Sequence, residues 1–284
     1  MIKAYYYLTK PGIIYGNALP ALGGFFLAAR GHVDFVLLFA MIFGLSFIIG
    51  SACIFNNCLD RDIDAKMKRT EKRALVTKTI PLKNALIFAV ILLILGSLLL
   101  GLYTNILTLI LSYIGFVSYV FVYTFTKRKT VHGTLLGSIS GAVPPVVGYC
   151  AVTNQFDLGA LLLFLILVIW QMPHFYAIAM YRKDEYKAAG IPVLPLVKGM
   201  NDAKQQIILY VLAFLVSASL LTVFGYTGSV YLFVMLVISV IWLWKGLKGL
   251  RAKDDATWAR SMFLFSLIVI MVFSLMMAVG SVLP

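Results

Sequence analysis

Apolar residues form long runs along the whole chain, and short polar stretches separate them. Each run is about 20 residues long, the length that an α-helix needs to cross the hydrocarbon core of a bilayer. The pattern predicts nine transmembrane helices, at residues 11–29, 36–58, 84–103, 105–126, 133–152, 158–181, 206–226, 229–248 and 258–281. No connection is long enough for a second domain, so we expect one all-α membrane domain over residues 1–284.

The composition supports a membrane protein. Of the 284 residues, 62% are hydrophobic and 12% are charged, which leaves too little polar surface for a soluble domain of this length. The first run contains Pro11, Asn17 and Pro20, which suit a retained helix better than a cleaved signal peptide. Because no Arg- and Ser-rich transit segment precedes it, we expect a multi-pass protein of a bacterial cytoplasmic (inner) membrane.

The net charge of +13 would suggest a nucleic-acid partner in a soluble protein. Its distribution favours a different explanation. If the N-terminus is cytoplasmic and nine helices alternate, the cytoplasmic segments hold 23 of the 24 Lys and Arg residues, and only Arg30 lies outside. This bias predicts a cytoplasmic N-terminus and a C-terminus outside, with membrane lipid as the partner and no nucleic acid.

Three polar residues at the end of the second run, Asn56, Asp60 and Asp64, are spaced at intervals of four. On a continuing helix they share one face, whereas Asp62 falls on roughly the opposite side. Carboxylates stacked at a membrane boundary are costly, and ionisable groups there are functional candidates. Their hard oxygens suit Mg²⁺, which binds one or two carboxylates and completes its coordination with substrate phosphates.

Basic residues follow this acidic motif directly. Acid followed by base suits a magnesium diphosphate, because carboxylates hold the metal while guanidinium groups bind phosphate oxygens. A solvated loop that obeys the charge bias explains the basic residues about equally well. The candidate diphosphate ligands are Arg69, Lys72, Arg73, Lys127 and Arg128.

The pattern NxxxDxxxD at residues 56–64, followed by RTEKR at 69–73, resembles the first signature of the UbiA-type intramembrane prenyltransferases. The resemblance implies nine transmembrane helices around a central cavity that opens beside a cytoplasmic cap. It also implies that Asn56, Asp60 and Asp64 are catalytic and bind Mg²⁺.

Further stretches resemble the heme-modifying members of this family. They are TKPGI at 9–13, HGTLLGSISGAVPPVVGYCAVTNQFD at 132–157 and WQMPHFYAIAMYRKDEYKAAGIPVLPLVKG at 170–199. This resemblance implies an enzyme that joins the farnesyl group of farnesyl diphosphate to a vinyl group of heme B, with addition of water, giving heme O and diphosphate. It further implies partners in heme-copper oxidase assembly or heme A synthesis.

His174 is the histidine within an apolar run, about seven residues from the cytoplasmic end of the sixth helix. At ~1.5 Å per residue it lies roughly 10 Å below that end. A buried imidazole there suits an axial iron ligand or a group that positions the porphyrin. The alternative is a packing histidine hydrogen-bonded to a neighbour, and the resemblance favours a role in heme binding.

The resemblance also implies a second acidic motif near the end of the sixth helix, and here the sequence departs from the pattern. Asp184 and Glu185 are adjacent, and alanines occupy positions 188 and 189, where a further acid is expected. Glu185, directly before Tyr186, takes the place of the usual Asp. We therefore expect Asp184 and Glu185 as metal ligands and Glu185 as a catalytic residue, with an exposed acidic pair as the alternative.

Three other functions stay open. A UbiA-type enzyme could prenylate an aromatic quinone precursor, although the histidine of WQMPHF argues against it. A secondary transporter also has many helices, but no inverted repeat is visible and the acids cluster at one membrane face. A non-enzymatic heme-delivery or oxidase-assembly protein is the third alternative.

Overall fold

The helices of the chain are seen in a computed structural model, which describes residues 1–280 and Val282. Within these residues, nine helices are long and apolar enough to cross a membrane, as the sequence predicts. The predicted domain, 1–284, includes Ser281, Leu283 and Pro284, which lie outside the described residues. The nine helices are α1 (Pro11–Ala29), α2 (Phe35–Leu59), α3 (Leu82–Tyr103), α4 (Ile106–Thr126), α5 (Gly133–Thr153), α6 (Leu158–Tyr181), α7 (Met200–Val223), α8 (Ser229–Lys248) and α9 (Asp255–Gly280).

Helix α7 differs from its predicted range of 206–226. It begins at Met200, because the helix continues through polar residues such as Asp202 and Lys204 that hydropathy excludes. It ends at Val223 because Gly225 adopts a φ of 75°, a left-handed conformation that favours glycine and stops the helix. Hydropathy therefore located the apolar part of α7 and missed its polar first turn.

The four connections after α1, α3, α5 and α7 are short, and side chains cap three of the helices that follow. Asp34 Oδ1 accepts hydrogen bonds from the backbone of α2, Asn105 from that of α4, and Asp157 from that of α6, at 2.9–3.0 Å. Such caps satisfy backbone N–H groups at a helix start. Long connections, residues 60–81 and 182–199, lie after α2 and α6 instead.

Contacts between connections show how the ends of the helices are grouped. Asn57 Nδ2 donates to the Leu8 carbonyl at 2.9 Å, so the N-terminal segment lies beside the end of α2. At the opposite ends of the helices, Gly228 N donates to the Gly280 carbonyl at 2.9 Å, so the connection after α7 lies beside the end of α9. We call the face that carries the N-terminus and the connections after α2, α4, α6 and α8 the basic face.

Helices α1 and α5 pack unusually closely. A Cβ atom on Gly148 would lie 1.9 Å from the Ala21 carbonyl oxygen, and one on Gly24 would lie 2.1 Å from the Pro145 carbonyl oxygen. Only glycine allows two backbones to approach this far.

A cavity of about 600 Å³ lies inside the bundle. Residues of α1, α2, α4, α5, α6 and α9 line it, together with residues of the connections after α2, α4 and α6. Helices α3, α7 and α8 supply no lining residue and pack behind α2, α6 and α9. The cavity therefore extends from the basic face into the apolar interior.

Candidate active site

The acidic motif lies where α2 ends at the basic face. Helix α2 stops at Leu59, and a four-residue helix, Arg61–Asp64, continues after a bend at Asp60. The backbone N–H of Asp64 still donates to the Asp60 carbonyl at 2.8 Å, which preserves the four-residue stacking. Asn56, Asp60 and Asp64 are all buried and line the cavity.

Cations accompany both buried carboxylates. Arg73 Nη1 lies 2.6 Å from Asp64 Oδ2. Lys127 forms an ion pair with Asp60, and Arg128 Nη2 lies 3.2 Å from the other oxygen of Asp60. These pairs offset the cost of removing two carboxylates from water. Burial lowers the pKa of Lys127, and the neighbouring Asp60 opposes that shift.

Asp62 points away from the cavity, as the helical spacing predicts, and its side chain is 61% exposed. Arg128 binds it through two hydrogen bonds of 2.8 and 2.9 Å, which lowers the pKa of the Asp62 carboxyl. Arg128 thus links the connection after α4 to the end of α2, and it does not line the cavity. Arg69 lines the cavity and is exposed, whereas Lys72 is exposed and lies outside the lining.

Lys10 is a member of this cluster that the sequence analysis did not assign. Its Nζ donates to Asn56 Oδ1 at 2.6 Å and lies 6.0 Å from the centre of the Tyr119 ring. Burial lowers the pKa of Lys10 to about 8. The available signal was its place in the TKPGI stretch, directly before the start of α1.

The end of α4 contains a π-helical segment, Ser118–Tyr123. Its wider coil lets Thr124 Oγ1 donate to the Tyr119 carbonyl at 3.0 Å while accepting from Asn56 Nδ2 at 2.8 Å. The rings of Tyr119 and Tyr123 stack with centroids 5.6 Å apart, and both line the cavity. Such segments are rare and often occur at functional sites.

His174 lies deeper in the same cavity. Its Nδ1 is 2.7 Å from Ser266 Oγ on α9, and its ring stacks on Trp170 with centroids 4.9 Å apart. Ser266 donates its hydroxyl proton to the Phe263 carbonyl at 2.6 Å, so its oxygen accepts the Nδ1 proton of the imidazole. In the neutral imidazole, this assignment of the proton to Nδ1 leaves Nε2 unprotonated.

The second acidic pair lies apart from the cavity. Asp184 is exposed and borders a smaller pocket on the basic face. Glu185 Oε1 accepts from Arg182 Nη1 at 3.1 Å, and its Oε2 is buried without a hydrogen-bond partner. Neither residue lines the main cavity, so the structure does not bring them together with Asp60 and Asp64.

The donor atoms at the acidic motif fit Mg²⁺. Within the described residues, no three His, Cys, Asp or Glu side chains converge as a metal site. A metal at this motif would therefore take two carboxylates and one amide oxygen, from Asn56, Asp60 and Asp64. That incomplete set suits Mg²⁺, which keeps waters and accepts substrate phosphate oxygens.

Comparison with known proteins identifies the class. Residues 17–268 match the model of the UbiA prenyltransferase family, and the chain belongs to this family. It is 51% identical over 275 residues to a protoheme IX farnesyltransferase of Protochlamydia amoebophila, covering 97% of each chain. It is 53% identical over 285 residues to the enzyme of the same name from Yersinia enterocolitica, covering 100% of this chain and 96% of the relative.

Solved structures share the fold at low sequence identity. A digeranylgeranylglyceryl phosphate synthase superposes with a TM-score of 0.80 at 20% identity, covering 99% of this chain and 98% of that one. A UbiA homolog from Archaeoglobus fulgidus bound to GPP and Mg²⁺ superposes with a TM-score of 0.74 at 13% identity, covering 97% and 99%. These likenesses show that the chain shares the fold of these proteins.

Proposed function

We propose that this membrane protein transfers the farnesyl group of farnesyl diphosphate to a vinyl group of heme B, with addition of water, giving heme O and diphosphate. One observation carries the proposal: a single cavity holds a charged cluster at its mouth and a histidine among aromatic rings in its interior. The full-length similarity to protoheme IX farnesyltransferases supports the same activity.

The charged end of the cavity suits the donor. Asn56, Asp60 and Asp64 would hold Mg²⁺, which when bound would neutralise negative charge on the diphosphate. Arg73 and Lys127, which already contact these carboxylates, supply positive charge to diphosphate oxygens, and Arg69, Lys72 and Arg128 extend it at the rim. Such fixed charges favour cleavage of the allylic C–O bond because they stabilise the negative charge that develops on the leaving group.

The interior suits the acceptor. The farnesyl cation forms a C–C bond to a vinyl group of the porphyrin, and water captures the resulting cation with loss of a proton, leaving a hydroxyethyl linkage. The apolar walls formed by residues such as Leu45, Ile49 and Phe116 exclude bulk water that would otherwise quench the farnesyl cation. His174, with Nε2 unprotonated, binds or positions the heme.

We place Asp184 and Glu185 at the edge of this machinery as a second, weaker metal-binding candidate. Glu185 would act through its ion pair with Arg182. The chain is one domain of a bacterial inner membrane, with its N-terminus in the cytoplasm. Heme O would pass from it to heme A synthesis or heme-copper oxidase assembly.

The proposal is tested with the purified protein in detergent, supplied with Mg²⁺, heme B and labelled farnesyl diphosphate. We expect label in a heme product whose mass matches heme O, together with released diphosphate. Transfer of label to a quinone precursor but not to heme would instead identify an aromatic prenyltransferase. Heme binding with no transfer of label to any acceptor would identify a heme-delivery protein.

A further inference from the structure

One cation of the cavity is set apart from the acidic motif. In the described part of the chain, the cavity is lined by the cationic side chains Lys10, Arg69, Arg73, Lys127 and Arg182. Lys10, Arg73 and Lys127 each contact Asn56, Asp60 or Asp64. Arg69 makes no such contact within the described residues but lies in the same connection as Asp60 and Asp64. Arg182 lies at the end of α6, the helix that carries His174. A positive charge there is not needed to balance the acidic motif.

Arg182 and His174 share one wall of the cavity. His174, Ile178 and Arg182 follow each other at intervals of four residues, and all three line the cavity. Eight residues of helix correspond to about 12 Å, which is comparable to the distance from the iron of a porphyrin to the carboxylates at its rim. A porphyrin whose iron lies near His174 can therefore place a propionate beside Arg182.

The guanidinium of Arg182 is held in place and keeps donors free. Its Nε donates to Tyr181 OH at 3.0 Å and its Nη1 to Glu185 Oε1 at 3.1 Å, and its Cζ lies 5.1 Å from the centre of the Tyr181 ring. Within the described residues, Nη2 of Arg182 donates no hydrogen bond. Because a guanidinium carries five N–H donors, a carboxylate can still form two hydrogen bonds with it.

We propose that Arg182 binds a propionate carboxylate of the porphyrin and makes the enzyme selective for porphyrins whose propionates are free. The proposal rests on the function proposed above, since it requires a porphyrin in this cavity. It also gives Glu185 a positioning role, because the Glu185 carboxylate pairs with the guanidinium and does not itself line the cavity.

The test compares iron protoporphyrin IX with its dimethyl ester, which keeps the iron and the vinyl groups but lacks both carboxylates. Each is titrated into the purified protein in detergent while the Soret band is recorded. We expect the wild-type protein to bind the free acid at least about tenfold more tightly, the scale of a charged hydrogen bond. Arg182→Gln should bind the free acid only as tightly as the ester, and Arg182→Lys should lie between.

Lys183→Gln is the matched control, because it removes one charge next to Arg182 from a residue that borders the smaller pocket. It should keep the full preference for the free acid. If Arg182→Gln keeps that preference too, or loses affinity for a farnesyl diphosphate analogue instead, Arg182 does not bind a propionate. If the wild-type protein binds neither porphyrin and transfers no farnesyl group to heme, the proposed function itself fails.

Discussion

Three aspartates within five residues have different surroundings. Asp60 and Asp64 are buried in the cavity wall, each paired with a cation, whereas Asp62 is exposed. Asp60→Asn and Asp64→Asn should each reduce turnover by at least about 10²-fold, because each removes a charge that we propose holds the metal diphosphate. Asp62→Asn should cost much less. Turnover of labelled farnesyl diphosphate with heme B measures all three.

Folding must be checked in these variants, because each asparagine leaves a buried cation without its charged partner. Size-exclusion profiles in detergent should match the wild-type profile, since asparagine keeps the shape of aspartate and one of its two acceptor oxygens. Equal activity in all three variants would show that the acidic motif does not bind the metal.

His174 and Arg73 belong to opposite ends of the cavity, so their replacements should have opposite effects. His174→Ala should weaken heme binding or shift the Soret band of co-purified heme, and leave affinity for a farnesyl diphosphate analogue unchanged. Arg73→Ala should weaken binding of the analogue and spare heme binding, because Arg73 contacts Asp64 and Asn57 at the mouth.

Ser266→Ala provides a finer version of the same test. It removes the hydroxyl that accepts the Nδ1 proton of His174 but keeps the imidazole, so heme affinity should fall less than in His174→Ala. If His174→Ala impaired only binding of the diphosphate analogue, the imidazole would belong to the donor site.

The sequence predicted the site unevenly at this scale. Asn56, Asp60 and Asp64 could be found because a four-residue spacing on one helix determines a shared face. Lys10 and Ser266 could not be found this way. Each reaches the site from a distant part of the chain, and only the packing of α1 and α9 against their neighbours brings them there.

At the scale of elements, helices were predictable where apolar length defines them. The polar first turn of α7 and the π-helical segment of α4 were not, because hydropathy reports neither. The π-helical segment matters most, since it turns Tyr119 and Tyr123 towards the cavity and lets Thr124 reach Asn56.

The contact between α1 and α5 gives a prediction about stability. Gly148→Ala would place a methyl group 1.9 Å from the Ala21 carbonyl oxygen, so one helix must shift. Overpacking of this kind costs about 1–3 kcal/mol, and we expect a lower Tm in detergent. Gly101→Ala in α3 is the matched control, because the atom nearest to its Cβ is 3.8 Å away. An unchanged Tm for Gly148→Ala would mean that these backbones are not in contact.

At the scale of the whole molecule, orientation follows from charge and from the number of helices. The grouping of connections into a basic face and an opposite face agrees with nine alternating spans. The charge bias predicts that the basic face lies in the cytoplasm. In that orientation the mouth of the cavity, where we propose that the diphosphate group binds, would face the cytoplasm.

Reporter fusions test the orientation. A reporter that is active only outside the membrane should be active when fused after Pro284, a residue outside the described part of the chain. The same reporter fused after Ala252, between α8 and α9, should be inactive, and a reporter that fluoresces only in the cytoplasm should show the reverse. The paired positions differ by one helix, so activity at both or at neither would mean that α9 does not cross the membrane. If the reporter is instead active after Ala252 and inactive after Pro284, the nine spans hold but the orientation is the opposite one, with the acidic motif outside the cytoplasm.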